Sequence, residues 1–151
     1  METRENRQRQ IMLATDGSLA ALKAAAWVND WIQAAEASIT IVTVITPTSL
    51  VWSDMNTAFS EGFVYQELMD EEHRAGHLRI EETRKKLRKD FAVKEVILRG
   101  PVAETLIDYA KQHHVSLIVV GRRGHSVLGN LLGSISFSLI QRSAIPVTIV
   151  G

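Results

Sequence analysis

The sequence predicts an α/β fold, an open five-stranded parallel sheet with helices on both faces. Two observations carry this. Five short apolar runs alternate with four longer helical patterns in the order βαβαβαβαβ, and right-handed crossovers turn that order into a parallel sheet. Leu117–Gly121 (LIVVG) is apolar on successive residues and ends on Gly, as a strand covered on both faces does. A chain of 151 residues, 46% hydrophobic, suits one domain, expected over residues 10–151 behind a solvated tail at 1–9.

Gln10–Thr15 (QIMLAT) is the first strand, and Asp16-Gly17-Ser18 is a turn signal behind it. From Ser18 to about Ala35 the pattern is helical, with Ala21, Ala24, Ala25, Val28, Trp31 and Ile32 on one face. Ser38–Ile45 (SITIVTVI), β-branched almost throughout, is the second strand, stopped by Pro47. Leu50–Phe63, with Trp52, Phe59 and Phe63, has no clean period and reads as a loop, a lid or a surface segment. Val64–Lys89 reads as an exposed helix with Glu81/Lys85 and Glu82/Lys86 spaced i,i+4. Its apolar stripe (Leu68, Ala75, Leu78, Ile80, Leu87) is broken. Val93–Leu98 is the third strand, Val102–His113 a helix, Leu117–Gly121 the fourth strand, Ser134 to about Ser143 a helix, and Val147–Val150 the fifth strand.

Composition excludes several functions. Seventeen basic residues balance seventeen acidic ones, so nothing supports nucleic acid or a membrane surface as partner. With no cysteine, disulfides and thiol catalysis by the chain are impossible. The polar start METRENRQRQ lacks the apolar core of a secretory signal, and no run approaches a membrane span, so a cytoplasmic location is expected.

The chemistry gathers around residues 116–136, SLIVVGRRGHSVLGNLLGSIS. A strand, a loop with glycines at 121, 124, 129 and 133, and a helix opening on Ser134, Ser136 and Ser138 follow one another. Glycine lets backbone approach a phosphate, and helix N-terminal N–H groups point at it. Arg122 and Arg123 add cations, and His125 is near. The glycines could equally just turn the chain, and Ser134 just cap a helix. Neither G-x-x-x-x-G-K-[ST] nor G-x-G-x-x-G occurs, which removes the P-loop and the Rossmann fingerprint.

Asp16 is the acidic residue that directly follows a strand at the edge shared with Thr46 and Gly121. It could accept a hydrogen bond from a base or ribose, ligate Mg²⁺, or cap the first helix. Catalysis finds less support. A receiver domain would need a phospho-accepting Asp at the end of the third strand, where Leu98-Arg99-Gly100 stands. An aspartyl-phosphate enzyme would need a second Asp where Ser18 is. His73 and His77 are spaced i,i+4 without a third ligand and read as surface. No paired carboxylates and no nucleophile–base pair fall at the site, so binding rather than turnover is expected.

These residues together resemble the universal stress protein family, in its nucleotide-binding branch, over nearly the whole chain. The resemblance rests on IMLATDGS before an alanine-rich helix, ITIVTVITP, the Gly100-Pro101 turn, GRRG…LLGSIS, and the closing AIPVTIV. It implies strand order 3-2-1-4-5 and a dimer binding ATP, with Mg²⁺ held through the phosphates. Asp16 and the backbone at Val44, with the neighbouring Ala14 and Thr15, would hold adenine. Gly121, Gly124, Gly133 and Ser134 would hold ribose and phosphates, with Arg122, Arg123, His125, Ile135 and Ser136 alongside. The chain departs from the family pattern in one count: eight residues, His125–Leu132, separate Gly124 from Gly133 where the family has nine. Arg122 also stands where a small hydroxyl residue is common.

The function implied is that of a nucleotide-dependent regulator in stress response. A nucleotide-free interaction module and a slow ATPase or autokinase stay open beside it. The order also places Val147–Val150 at a sheet edge, with no charged residue from Ala144 to Gly151. So bare an apolar edge is expected to pair with a second copy of the chain, unless the Leu50–Phe63 loop covers it.

Overall fold

The computed structural model describes residues 8–46, 61–122 and 132–151. Within them the predicted alternation is present as β1 (Arg9–Ala14), α1 (Leu19–Trp31), β2 (Ala37–Ile45), α2 (Glu61–Lys86), β3 (Ala92–Arg99), α3 (Val102–Gln112), β4 (Leu117–Gly121), α4 (Ser134–Arg142) and β5 (Val147–Val150). The strands form one parallel sheet of order β3-β2-β1-β4-β5. The fold class and the strand order are those expected.

Alternation along each strand assigns the two faces. Ile11 and Leu13 of β1 join Ile39 and Ile41 of β2 under Ala24, Ala25 and Val28 of α1, Ile80 of α2 and Leu87 just after it. Met12 and Ala14 join Val42, Val44 and Ile118 under Leu106, Ile107 and Ala110 of α3 and Leu139 of α4. Two helices per face explain why β1, β2 and β4 read as near-continuous apolar runs. Each fully buried Leu or Ile on these faces contributes about 1.5–3 kcal/mol by leaving water. β1 stands between β2, reached directly, and β4, reached by crossing back, so the winding reverses there. A ligand crevice lies outside the carboxyl ends of the strands at such a point.

Three expectations need correction. Trp31 is 70% exposed rather than inward, because α1 ends there and the chain leaves in an extended conformation at Ile32. It lies over Trp27 with ring centroids 6.2 Å apart. The α2 stripe is also displaced. Met69, Ile80, Thr83 and Leu87 are the buried side chains, with Gly76 between them, whereas Leu68 and Leu78 are 44% and 60% exposed. The spacing of seven, four, three and four is helical, but a glycine and a threonine in it hide the stripe from an apolar count. Finally, α2 begins at Glu61, so the end of the stretch read as a loop is helical. The rest of that stretch, including Trp52 and Phe59, lies outside the described residues.

The charged face of α2 is solvated. Lys85 lies 2.9 Å from Glu81 and 3.0 Å from Glu82, and the hydrogen bonds it donates to these carboxylates raise its pKa. Such exposed pairs contribute little.

Candidate functional site

β1 ends at Ala14, and the chain turns away through Thr15, Asp16 and Gly17 while β2 runs on to Ile45. That difference in length opens the site. Thr15 donates its N–H to the Val42 carbonyl at 2.9 Å. Two residues on, the same edge of Val44 faces the gap that β1 has left, because parallel-strand groups alternate sides. A cleft of ≈ 260 Å³ results, lined by the apolar Ala14, Ala21, Val42, Val44, Val102, Leu106, Val120 and Ile135 and by Thr15, Asp16, Ser18, Arg79 and Gly121. Its lining is mostly apolar with a few polar groups, as that of ligand pockets is.

Helix capping, which Asp16 could have provided, falls to Ser18. Its hydroxyl accepts the Ala21 N–H at 3.3 Å. Asp16 instead accepts the Ser18 N–H on Oδ1 at 2.9 Å, an Asx turn. This holds the carboxylate in the lining of the cleft and leaves Oδ2 with no hydrogen bond among the described residues. Gly17 permits the turn with φ +75, and a Cβ there would come within 2.9 Å of Arg79 Cγ.

The hydroxyl of Thr15 is committed to structure. The Gly17 N–H donates to Thr15 Oγ1 at 3.1 Å, Thr15 Oγ1 lies 2.7 Å from Thr83 Oγ1, and Thr83 Oγ1 donates to the Arg79 carbonyl at 2.8 Å. Thr83 has one hydrogen and spends it on that carbonyl, so Thr15 must be the donor between the two hydroxyls. The resulting chain of donors ties the Asp16 turn to α2 and polarises along its length. Thr83→Val is expected to cost about 1–3 kcal/mol by leaving the Thr15 hydroxyl buried without its acceptor. Chemical denaturation checks this, and a loss under about 0.5 kcal/mol, within the range of neutral surface changes, would count against the relay.

On the other side of β1, Gly121 closes β4 against α1. Gly133 donates its N–H to the Arg122 carbonyl at 3.0 Å, which holds the end of β4 against the start of α4. Ser136, 2% exposed, donates to the Gly121 carbonyl at 3.0 Å and the Arg122 carbonyl at 3.2 Å. Its hydroxyl therefore ties the first turn of α4 to the end of β4. Gly133 occupies the cap position of α4 with no side-chain cap hydrogen bond, and the first-turn N–H groups at Ser134 and Ile135 find no capping acceptor among the described residues.

The expected site residues are thus brought together to a large extent. Ala14, Thr15, Asp16, Val44, Gly121 and Ile135 line the cleft, and Arg122, Gly133, Ser134 and Ser136 form the adjoining β4–α4 closure. Arg123, Gly124 and His125 lie outside the described residues. Sequence reasoning missed Arg79 and Thr83, which sit in a charge-rich helix that reads as solvated surface. The signal that could have found them is their i,i+4 spacing beside Ile80 and Leu87 on the buried stripe.

A doubly wound parallel sheet with a cleft at its winding reversal defines a broad class of ligand-binding α/β proteins. Within that class the chain belongs to the universal stress protein family, whose description, "Universal stress protein family", matches residues 8–151. A relative, Universal stress protein YxiE of Bacillus subtilis (strain 168), is 34% identical over 104 residues, covering 64% of this chain and 70% of that protein. Among solved structures, hypothetical protein MJ0577 superposes with a TM-score of 0.77 at 25% identity, covering 94% of each chain. The same fold occurs in a universal stress protein in complex with cAMP (TM-score 0.60, 19% identity, 95% and 96% covered). It occurs again in a universal stress protein family protein from Arabidopsis thaliana with AMP bound (0.62, 14%, 94% and 90%). Among the described residues no helix is long and apolar enough to cross a membrane.

Proposed function

We propose that this universal stress protein binds ATP in the cleft and acts as a dimeric, nucleotide-dependent regulator in the cytoplasm, as a single domain over residues 10–151. The observation that carries the reading is the composition of the cleft. An acceptor at Asp16 Oδ2, an unpaired β-edge at Val44 and a mostly apolar lining suit a purine. The uncapped N-terminus of α4, two strands away, suits phosphates. Relatives of the same fold solved with cAMP and AMP support an adenine nucleotide as the ligand class. No group of three or more His, Cys, Asp or Glu residues that could hold a metal occurs among the described residues. Mg²⁺ therefore fits as a companion of the phosphates, which it would neutralise, rather than as a protein-held ion. Asp16 is the one carboxylate lining the cleft among the described residues, which supports binding without efficient turnover.

The eight-residue spacing from Gly124 to Gly133 favours a second reading, a nucleotide-free interaction module on the same scaffold. Extracting purified protein with acid and assaying the released nucleotide separates the two. Stoichiometric adenine nucleotide supports the first, and none after saturation with ATP and gel filtration supports the second.

The dimer is proposed to form through β5. Among the described residues no further strand pairs with either edge of the sheet, but β3 presents exposed Lys94 and Glu95 whereas β5 is uncharged and only half-buried along its length. Charge blunts an edge against pairing. The carbonyls of Pro146 and Val150 accept N–H groups from Ile118 and Arg122, so even-numbered residues of β5 face β4 and odd-numbered ones face outward. Thr148→Pro would consequently break the internal ladder, and Ile149→Pro is the substitution that removes an outward donor. Ile149→Pro is expected to convert the dimer to a folded monomer by light scattering. An unchanged dimer would exclude pairing through this edge.

A further inference from the structure

We infer that Arg79 is a ligand-binding residue that reads the base of the bound nucleotide, an assignment that rests on the nucleotide reading above. Arg79 is half-buried and lines two hollows at once. One is the cleft beside Thr15 and Asp16, and the other is a recess formed by Val44, Ile45, Thr46, Glu72 and Ala75 at the end of β2. Its stem is packed over Gly17, where a Cβ would meet its Cγ at 2.9 Å and its Cβ at 3.4 Å. Its own carbonyl is fixed by Thr83, at the end of the relay that begins at the Asp16 turn. The stem is therefore placed by packing on Gly17, and the backbone that carries it by the Thr83 hydrogen bond.

The guanidinium itself has no ion pair among the described residues. The salt bridges of α2 join Arg84 to Glu95 and Lys85 to Glu81 and Glu82, and none reaches Arg79. Asp16 and Glu72 line the same two hollows, yet neither is within ion-pair distance of it. A partly buried arginine whose five donors are uncommitted among the described residues is suited to an acceptor that arrives with a ligand. Its position says which part of the ligand. The phosphate-binding features, Gly121 and the start of α4, belong to β4, whereas Arg79 stands over the ends of β1 and β2. Strands lie about 4.8 Å apart, so β2 and β4 are separated by nearly two such steps, roughly the reach from a base to its phosphates. Asp16 Oδ2 as acceptor and Arg79 as donor then form a complementary pair for a purine edge carrying both an N–H and a ring nitrogen.

The test is calorimetry of wild type, Arg79→Met and Arg79→Lys with adenosine and with ATP. A base contact predicts that Arg79→Met weakens both ligands by the same factor, about tenfold or more for a charged hydrogen bond. Arg79→Lys keeps the stem over Gly17 and the charge but loses the fork, so it recovers only part of the affinity for both. Should Arg79→Met fail to fold, the equal loss for both ligands in Arg79→Lys reads the same result. Unchanged affinity in the variants, or a loss confined to ATP, overturns the base contact while leaving the nucleotide reading intact. A wild type that binds neither ligand overturns both.

Discussion

Gly121→Ala is expected to lower the stability of the protein by about 3 kcal/mol, at the upper end of what overpacking costs. A Cβ at residue 121 would lie 2.5 Å from the carbonyl carbon of Ala20, 2.6 Å from its oxygen and 2.9 Å from its Cβ. Two of those atoms are backbone in the first turn of α1, so no rotamer change relieves the contact. The helix must tilt off β4 or β4 must shift from β1. Either movement loosens Ala24, Ala25 and Val28, which lie at the centre of one of the two cores. For about 150 residues, each 1 kcal/mol shifts the melting temperature by roughly 2–4 °C, so a fall of about 6–12 °C is expected in thermal unfolding. A shift under about 2 °C would mean that α1 and β4 do not approach so closely. The same substitution would disturb the cleft, since Gly121 and Ala21 both line it.

Asp16→Ala is expected to weaken ATP binding by about 5- to 150-fold, corresponding to roughly 1–3 kcal/mol for a lost charged acceptor. Stability also falls, because Oδ1 accepts the Ser18 N–H at 2.9 Å, and the two effects must be separated. Asp16→Asn does so. An amide oxygen can keep the turn, but the NH₂ then faces the ligand where an acceptor stood. Affinity is expected to fall about as far as in Asp16→Ala, with the melting temperature near wild type. Equal affinity of Asp16→Asn and wild type would remove Asp16 from the binding site.

Much of the fold was legible in the sequence because its strands are buried on both faces. Leu117–Gly121 and Val147–Val150 were bounded to the residue, since continuous β-branched and aliphatic runs between turn signals leave little room for error. Helix α2 was harder. Its packing depends on Gly76 and Thr83, and neither contributes to an apolar period. Trp31 shows the opposite error, in which an inward position was read from periodicity at the very residue where the helix ends. The site was legible where it depends on local backbone chemistry, as at Asp16, Gly121 and Gly133. It was not legible where residues distant in sequence meet. The Thr15–Thr83 bond spans 68 residues, and the approach of Arg79 to Gly17 follows from α2 lying over β2. Periodicity reports which face a residue occupies, not what it meets across a gap. The direction of the β5 groups was likewise hidden, because a strand's sequence does not reveal which side of it is already paired.

The central claim is that the cleft between Asp16, Val44 and the start of α4 holds an adenine nucleotide. Isothermal titration of the wild-type protein with ATP in the presence of Mg²⁺ tests it most directly. The account predicts saturable binding with one nucleotide per chain, abolished or strongly weakened in Asp16→Asn. An absence of binding heat at ATP concentrations on the order of 1 mM, where even an interaction of about −4 kcal/mol would register, would contradict it.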